Sequence, residues 1–435
     1  MVLDINGGIF KSAVALLVCV LCLIVEVLVV VGRIRNYKWE LKYEYKSPDC
    51  FKKLVITING RSPGPTIHAQ QGDTIIVEVT NSLWTENTAI HWHGIRQIGT
   101  PWSDGTEGVT QCPNCLEIPS NISLCPGHTC TMHAHYGMQR EAGLYGSIRV
   151  ALPDGESEPF AYDYDRSIIL NDWYHKTTYE HAVGLSSLKF SWVGEPQGHN
   201  MTVVKADRHN VEPFVVKNVF LYSGETYSVL VKADQDPSRN YWITTYVVSR
   251  NATTPPGLGI SDYYPNHPRR SPPSVPPAGP ALDNVRARLD QSLAIKACQG
   301  SSTRLPQPQT ESLCFSTHKT PSTALSSGRL KFNSTVDIIL QNANTRNPNN
   351  SETHPWHFNG HDFWVLGYGE GNFDMFNDPK KYNLVNPIMK NTVPVHRYGW
   401  TALRFRADNL GAWAFHCHIE SHKQKSPRDA AGLQL

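Results

Sequence analysis

The chain has 435 residues, of which 40% are hydrophobic and 18% charged, a composition typical of folded domains rather than disordered segments. Its 40 Lys and Arg residues nearly balance its 38 Asp and Glu residues, so charge gives no support for nucleic acid as the main partner. The length fits about three domains of about 150 residues, and the composition excludes a collagen, a coiled coil and a polytopic membrane protein.

The first predicted element is a hydrophobic run from Ser12 to Val31, which Glu26 interrupts. Lys11 before the run and Gly32 after it are typical of a signal peptide, which is cleaved after small residues. The run is also long enough to span a bilayer of about 30 Å, although a carboxylate in its middle is costly there. We predict that residues 1–32 are a signal peptide, with an uncleaved membrane anchor as the alternative.

The cysteines and the glycosylation motifs agree with export to an oxidising compartment. Four of the ten cysteines crowd one loop-like stretch, at Cys112, Cys115, Cys125 and Cys130. The second half of a zinc pattern is absent from this stretch, so disulfides or free thiols are expected. Sequons of the form N-x-S/T begin at Asn121, Asn200, Asn251, Asn333 and Asn349. The predicted location is therefore secreted and extracellular.

Beyond the leader, the sequence alternates between hydrophobic and polar residues in short runs. Alternation bounded by Gly, Pro and Asn predicts β-strands with one buried face. Such runs lie within Tyr37–Val79 and at Gly146–Val150, Arg166–Leu170, Val215–Leu221, Thr226–Val231, Tyr241–Val247, Arg329–Leu340, Phe363–Tyr368 and Thr401–Phe405. Helical periodicity is scarce, so we predict an all-β chain of sandwich or barrel modules.

Two breaks divide this series of strands. One lies near Pro153–Pro159, and the other is a proline-rich segment that should be extended and semi-rigid. We predict a first domain at 33–155, a second domain at 156–263, a linker at 264–283 and a third domain at 284–435.

Histidines recur in a pattern that chance explains poorly. Pairs separated by one residue occur at His91 and His93, at His133 and His135, and at His416 and His418, and a further cluster contains His354, His357 and His361. An isolated histidine is usually structural, but imidazole is the commonest side-chain metal ligand. Three such pairs and a fourth cluster in a β-rich chain therefore indicate a metal site.

Strand geometry gives the pattern around Cys417 a chemical meaning. Side chains on a strand alternate faces, so His416 and His418 should leave one face while the Cys417 thiolate leaves the other. His354 and His357 are three residues apart, so His354 should join Cys417 while His357 joins the imidazoles. His422 could complete the Cys417 site after a bend in the chain.

The ligand types favour copper over zinc. A His2Cys set is typical of blue copper sites, and a separate imidazole cluster also suits copper. Zinc would accept the same donors, but a redox-inert ion gives no reason for a thiolate placed between two imidazoles.

Long segments around these histidines carry a resemblance to a known family. They include NGRSPGPTI (59–67), AIHWHGIRQIGTPWSDGTEGVTQCP (89–113), HAHYGMQREAGLYGSI (133–148), GLSSLKFSWVGEPQ (184–197), ETHPWHFNGHDFWVLGYGEGNF (352–373) and YGWTALRFRADNLGAWAFHCHIESH (398–422). On these segments the chain resembles the multicopper oxidases and, among them, the plant L-ascorbate oxidases.

The resemblance implies three cupredoxin-like Greek-key β-sandwich domains and four coppers per chain. It implies that a type 1 copper is held by His354, Cys417 and His422, a type 2 copper by His91 and His357, and a type 3 pair by His93, His133, His135, His416 and His418. It also implies that Trp192 helps to wall the reductant pocket, with an ordinary core or surface aromatic as the alternative.

The implied reaction couples two half-reactions. Single electrons from L-ascorbate enter at the type 1 copper and pass through Cys417, His416 and His418 to the trinuclear cluster, where O2 is reduced to water. The expected partners are thus a small-molecule reductant and O2, in the apoplast or cell wall. A homodimer is a possibility that the sequence leaves open, and a membrane partner is expected only if the leader is uncleaved. Alternatives are a laccase-like phenol oxidase and a catalytically impaired extracellular binding protein.

Several departures from the family pattern predict a truncated or variant chain. Asn359 stands where the family has a type 3 histidine, and a neutral amide is a poorer copper donor than imidazole. Pro427 stands near the position of the weak axial ligand. The segment between Gln111 and His133 shows little alternation, where the family has a pair of strands. Shortened stretches after Gln197 and within 284–328 predict that the second and third domains are incomplete, so impaired activity is expected.

Overall fold

The computed structural model describes residues 32–112, 120–123, 129–175, 191–196, 198–247, 255–280, 284–298, 305–307, 311–316, 328–342, 351–419 and 431–434. Residues 1–31 of the predicted leader, which was placed at 1–32, lie outside these ranges. Within them, no helix has the length and apolar character needed to cross a membrane.

The first part of the chain forms two four-stranded sheets packed face to face, which we call the first unit. Its strands are β1 (Ile34–Lys46), β2 (Lys53–Ile58), β3 (Ile67–Gln70), β4 (Thr74–Asn81), β5 (Ile90–His93), β6 (Ser120–Ser123), β7 (Thr129–Ala134) and β8 (Tyr145–Ala151). One sheet has the order β2-β1-β4-β6 and the other β3-β8-β7-β5. Alternation works as expected in β4, where Ile75, Val77 and Val79 are buried in the core between the sheets.

The middle of the chain forms the second unit, with a three-stranded and a four-stranded sheet. Its strands are β9 (Ser191–Pro196), β10 (Met201–Ala206), β11 (His209–Val216), β12 (Val219–Tyr222), β13 (Tyr227–Val231), β14 (Tyr241–Val247) and β15 (Gly257–Ser261). The orders are β11-β10-β13 and β12-β9-β14-β15.

The third unit contains two five-stranded sheets and a helix, α1 (Val285–Ala294). Its strands are β16 (Glu311–Ser316), β17 (Gly328–Arg329), β18 (Thr335–Gln341), β19 (His354–Phe358), β20 (Phe363–Glu370), β21 (Met389–Lys390), β22 (Thr392–Val395), β23 (Gly399–Arg406), β24 (Ala412–Cys417) and β25 (Ala431–Gln434). The orders are β16-β18-β23-β20-β21 and β17-β25-β24-β19-β22. One hydrophobic cluster runs through the second and third units, so these units share a core. Short 3-10 turns at Pro101–Ser103 and Asp378–Lys381 complete the elements.

The proline-rich connector has no regular secondary structure over residues 264–280. It lies along β14, where the indole N–H of Trp242 donates to the carbonyl of Ser274 at 2.7 Å and the Tyr246 hydroxyl contacts the carbonyl of Pro277. Side chains of one strand therefore hold the connector at two points.

The all-β prediction is confirmed, but several predicted elements were wrong in detail. Arg166–Leu170 forms no strand, because an alternating run needs a partner strand to satisfy its backbone. Val215–Leu221 contains the turn between β11 and β12, and Arg329–Leu340 contains the turn between β17 and β18. The segment with little alternation after Gln111 still contributes β6 and β7, which pair with β4 and β5.

Helix α1 was not predicted from periodicity. Its N-terminus is capped by Asn284, whose side chain accepts from the backbone N–H of Ala287 at 3.1 Å. Gln291 joins it to β12 through two hydrogen bonds with the backbone of Phe220, at 2.9 and 2.7 Å. The helix therefore links the second and third units through polar contacts that leave no hydrophobic periodicity in the sequence.

Candidate metal centre

Two pairs of strands bring the predicted histidines together. In the first unit, β5 pairs with β7 so that His91 lies directly opposite His133. In the third unit, β19 pairs with β24 so that His357 lies directly opposite His416. The two pairs of strands face each other across the boundary between the units. The Nε2 atoms of His91 and His357, one from each unit, are 3.3 Å apart.

The residues between the histidines anchor each strand in a core. Trp92 is fully buried and packs on Trp39, with ring centroids 5.9 Å apart. Trp356 packs on Phe415 at 5.1 Å, and Ala134 lies in the core of the first unit. Because side chains alternate along a strand, burying these residues on one face holds the imidazoles on the other. The histidine spacing is thus a consequence of strand packing.

Seven imidazoles form one cluster, from His91, His93, His133, His135, His357, His416 and His418. Their rings touch repeatedly, for example at 3.9 Å between the centroids of His93 and His357 and at 5.2 Å between those of His135 and His416. Six of the side chains are buried and His135 is half-buried.

Backbone carbonyls fix the protonation of most of these rings. His91 Nδ1 donates to the carbonyl of Asp104 at 2.8 Å, and His357 Nδ1 donates to the carbonyl of Asn391 at 2.9 Å. In a neutral imidazole the other nitrogen then carries a lone pair. The two Nε2 atoms of these rings therefore face each other as bare acceptors.

Backbone carbonyls fix two further rings in the same way. The Nδ1 atoms of His133 and His416 donate to the carbonyls of Ala134 and Cys417, each at 3.0 Å. Their Nε2 atoms lie 3.2 Å from Nε2 of His418 and 3.4 Å from Nε2 of His135, respectively.

His93 is turned the other way round. Its Nε2 donates to the carbonyl of Gly224 at 2.8 Å, so Nδ1 is the nitrogen that keeps a lone pair.

The converging lone pairs of His91 and His357 require a cation between them. A histidine that donates one N–H to a carbonyl and presents its other nitrogen is the usual form of a metal-bound imidazole. Burial lowers the pKa of His357 well below its usual value, and the neighbouring His93 and His91 lower it further. The ring is therefore neutral and available as a ligand near neutral pH.

The nitrogen atoms fall into three groups. His91, His93 and His357 offer atoms within 4.8 Å of one another, and so do His93, His133 and His418. His135 and His416 form a separate pair. We call these the first triad, the second triad and the imidazole pair.

Cys417 lies on the opposite face of β24 from the cluster. Its buried sulfur is 3.7 Å from Nδ1 of His354, while the rings of His416 and His418 stack side by side on the other face, 5.8 Å apart. A thiolate and an imidazole at this separation are two of the three donors of a blue copper site. The third predicted donor, His422, lies outside the described residues. Trp192 lies in β9 opposite Leu221 of β12, and its side chain lies outside the described part.

Asn359 lies one residue beyond β19, and its backbone N–H donates to the carbonyl of Ala414 at 3.0 Å. Its buried amide nitrogen donates to Oδ2 of Asp104 at 3.0 Å and to the hydroxyl oxygen of Thr106 at 2.8 Å. Asp104 in turn faces Nδ1 of His91, with Oδ1 at 3.3 Å. The Asn359 amide therefore holds the Asp104 carboxylate in place beside His91.

Asp104 stays ionised in this environment. Burial alone would raise the pKa of its carboxyl, but the electrostatic attraction and hydrogen bond of the His91 N–H, with hydrogen bonds from Thr106 and Asn359, outweigh burial and lower the pKa. The loop that carries Asp104 reaches β5 because Gly105 has a φ of +81° and no side chain, where a Cβ would lie 1.7 Å from the carbonyl oxygen of Ile90.

His361, the third histidine of the cluster with His354 and His357, packs in the core and not among the seven imidazoles. Its ring stacks on Phe358 at 4.6 Å and lies edge-on to Trp413 and Phe405. Burial, together with the nearby charge of Arg96, lowers the pKa of His361 to about 4. It therefore belongs to the core of the third unit.

Sequence reasoning missed a buried charged group behind the cluster, formed by Lys390, Glu225 and Asp207. Lys390 Nζ lies 2.7 Å from Oε1 of Glu225 and 3.8 Å from Oδ2 of Asp207. Burial lowers the pKa of Lys390, but the two carboxylates outweigh it and raise the pKa, so the ammonium stays charged. Asp207 accepts the backbone N–H groups of Asn391 and Thr392, which both contact His357.

These supporting residues differ in how far the sequence could have revealed them. Asp104, Gly105 and Thr106 lie in the quoted segment that contains WSDGT, close to the histidines along the chain. Lys390 and Asp207 are far apart in sequence and show no pattern, so their pairing needed the structure.

The sequence left disulfides and free thiols open for the crowded cysteines. Among the described residues Cys112 is an exposed free thiol, as is Cys50 earlier in the chain. Cys115 and Cys125 lie outside the described ranges.

Family models described as multicopper oxidase match residues 40–155, 195–266 and 300–426. An L-ascorbate oxidase of Cucumis sativus is 38% identical, covering 90% of this chain and 87% of the relative. One of Nicotiana tabacum is also 38% identical, covering 91% and 89%. Laccase-11 of Arabidopsis thaliana is 31% identical, covering 89% and 90%. The Cucumis alignment has 522 positions, so this relative carries segments without counterparts here.

Solved structures agree on the fold. A laccase from Botrytis aclada superposes with a TM-score of 0.78 at 23% identity, covering 93% of this chain and 88% of the laccase. Fet3p, a multicopper oxidase that functions in iron import, superposes with a TM-score of 0.75 at 21% identity, covering 92% and 90%.

Proposed function

Because this chain belongs to the multicopper oxidase family, we propose that it oxidises L-ascorbate by single electrons and passes them to dioxygen. It is a copper-dependent oxidoreductase by family. The observation that carries the proposal is the position of Cys417, with its sulfur beside His354 on one face of β24 and the imidazoles of its neighbours on the other.

The two faces of β24 carry different sets of metal donors. His354 and Cys417, with His422 as the predicted third donor, would hold one copper, and the imidazole cluster would hold the others. Copper supplies one-electron redox chemistry when bound, and imidazole and thiolate donors suit it. The sulfur side would receive electrons from the reductant, and the imidazole side would deliver them to dioxygen.

The protein contributes a short path and a dry environment. Cys417 is joined to His416 and His418 by peptide bonds, so the two faces are connected through a few covalent bonds. All three side chains are buried. Rings held by carbonyl hydrogen bonds need little rearrangement when the charge of a bound metal changes.

Ascorbate is favoured over phenols by the relatives. The L-ascorbate oxidases are 37–38% identical to this chain and the laccases 27–31%. Trp192 in β9 remains our candidate for the wall of the reductant pocket, and a laccase-like preference is an outcome of the test.

We propose a secreted protein of the apoplast or cell wall. The hydrophobic run at Ser12–Val31, the sequons and the plant sources of the relatives support this location. Secretion of a tagged full chain from plant cells, with loss of residues 1–32 on mass spectrometry, would test it. Retention of the full-length chain in membranes would contradict it.

Oxygen uptake by the purified, copper-loaded chain tests the proposed activity. We expect uptake that depends on ascorbate and disappears in Cys417→Ser, while the exposed Cys50→Ser control keeps it. A panel of phenols in place of ascorbate identifies a laccase-like preference. A copper-loaded chain that consumes no oxygen with either class of reductant contradicts the proposal and favours an extracellular binding protein, which Asn359 already supports.

A further inference from the structure

The imidazole pair differs from the two triads in its supply of donors. His135 and His416 present their Nε2 atoms to each other at 3.4 Å, and neither belongs to a group of three ligating residues in the described part of the chain. His93 lies in both triads, but its single lone pair can serve only one metal. Assigned to the second triad, as the resemblance implies, it gives that triad three donors. The pair has two.

The backbone register identifies the residue that should complete the pair. Asn359 follows His357 by two residues, so it leaves the same side of the chain. Its N–H bonds the carbonyl of Ala414, two residues before His416. The register therefore assigns the third donor position of the pair to Asn359, whose side chain is an amide.

That amide is committed to other partners. Its nitrogen is held by Asp104 and Thr106, and reversing the amide would direct its oxygen at the Asp104 carboxylate. Its Oδ1 atom is buried and has no hydrogen-bond partner in the described structure, so a neutral oxygen is the most that Asn359 can offer a metal. Cu(II) prefers a tetragonal set of N and O donors, and an amide oxygen is a weak replacement for imidazole.

We infer that this chain holds copper at the Cys417 site and at the two triads, and that the position at the imidazole pair binds copper weakly or not at all. The inference rests on the proposed function. It adds that the second triad holds a lone copper where the family pattern has a coupled pair. In this chain, the residue at 359 stabilises the loop behind His91 in place of completing a metal site.

Copper content and spin counting test the inference on the copper-loaded full chain. We expect about three coppers per chain, nearly all of them detected by electron paramagnetic resonance after oxidation, because a lone Cu(II) keeps its unpaired electron. In Asn359→His we expect about four coppers, of which about half become silent because the added copper couples to its neighbour. Oxygen uptake with ascorbate should rise at least about tenfold.

Asn359→Ala is the matched control. It loses the same bonds to Asp104 and Thr106 but adds no donor, so its copper content should stay at about three. A native chain with about four coppers, half of them silent, would overturn the inference and leave the proposed function intact. Three coppers in both the native chain and Asn359→His, with native thermal stability in the variant, would also overturn it. A chain that binds copper nowhere would instead contradict the proposed function.

Discussion

The second triad and the imidazole pair lie side by side on the same strands, yet they are unequal as metal sites. The segment around the end of β7 supplies His133 to the triad and His135 to the pair. The segment around Cys417 supplies His418 to the triad and His416 to the pair. The triad gains His93, while the pair meets Asn359. The comparison shows that alternation along paired segments places equivalent ligands in two neighbouring groups. It also shows that one substitution can remove a donor from one group without changing the donors of the other.

Removing the buried cation Lys390, behind His357, should have the largest effect. Lys390→Met would leave Glu225 and Asp207 buried without a countercharge, so we expect the free energy of unfolding to fall by about 3–5 kcal/mol. Lys381→Met, which removes an exposed partner of Asp378, should cost less than about 1 kcal/mol. Urea unfolding of both variants measures this difference. Equal, small losses of unfolding free energy would show that Lys390 does not stabilise the segment that contacts His357.

Removing one ring from each group tests the comparison itself. His133→Ala takes a donor from the second triad, so we expect the loss of about one copper per chain. Oxygen uptake should fall at least about 100-fold, because losing a ligand should cost more than the 10–100-fold typical of losing a residue that only supports a ligand. His135→Ala takes a donor from the pair that we infer to be deficient, so copper content should hardly change. Metal analysis of the two variants decides the matter, and equal copper losses would remove the distinction between the groups.

Gly224 offers a smaller and more local perturbation of the triad. A Cβ at this position would lie 3.0 Å from the ring of His418 and 3.1 Å from that of His93, so Gly224→Ala should displace both rings and weaken copper binding by about 10–100-fold. Gly72→Ala has nearly the same positive φ, +87° against +90°, but nothing within 4 Å of its Cβ. Copper titration should therefore separate displaced rings from backbone strain. Similar weakening in both variants would attribute the effect to strain.

A histidine outside both groups should have no effect near neutral pH and a measurable one in acid. Burial, together with the nearby charge of Arg288, lowers the pKa of His396 to about 3. Its unfolded pKa is about 6.5, so the unfolded chain binds more protons between these values, and stability falls as pH falls. The loss should approach 1.4 kcal/mol per pH unit below about 6.

His396→Gln keeps a partner for the hydroxyl of Ser292, which lies 3.0 Å from Nε2 of His396, and should flatten this part of the pH profile. Denaturant unfolding between pH 4 and 7 checks it. A profile with unchanged slope would show that the acid sensitivity comes from other groups.

The sequence predicted the fold and most of the cluster because strand periodicity is a local property. The spacing of His416, Cys417 and His418 is enough to place a thiolate and two imidazoles on opposite faces. The same logic divides His354 from His357. These predictions depend only on neighbours along the chain, and the structure has this arrangement.

What the sequence could not predict depends on contacts between distant residues. Nothing local shows that Asp207 and Lys390 meet, or that the Asn359 amide is anchored by Asp104 and Thr106. Local pattern also misled where partners decide the outcome. Arg166–Leu170 alternates well but has no strand in the described structure to pair with, while the poorly alternating stretch before His133 forms β7 because β5 and β8 flank it.

A crystal of the copper-loaded chain, measured on both sides of the copper absorption edge, tests the central claim most directly. We predict anomalous density between Cys417 and His354 and at each of the two triads, and none above noise between His135 and His416. A peak at the imidazole pair as strong as the peak at the second triad would contradict the account, and so would density absent from the Cys417 site.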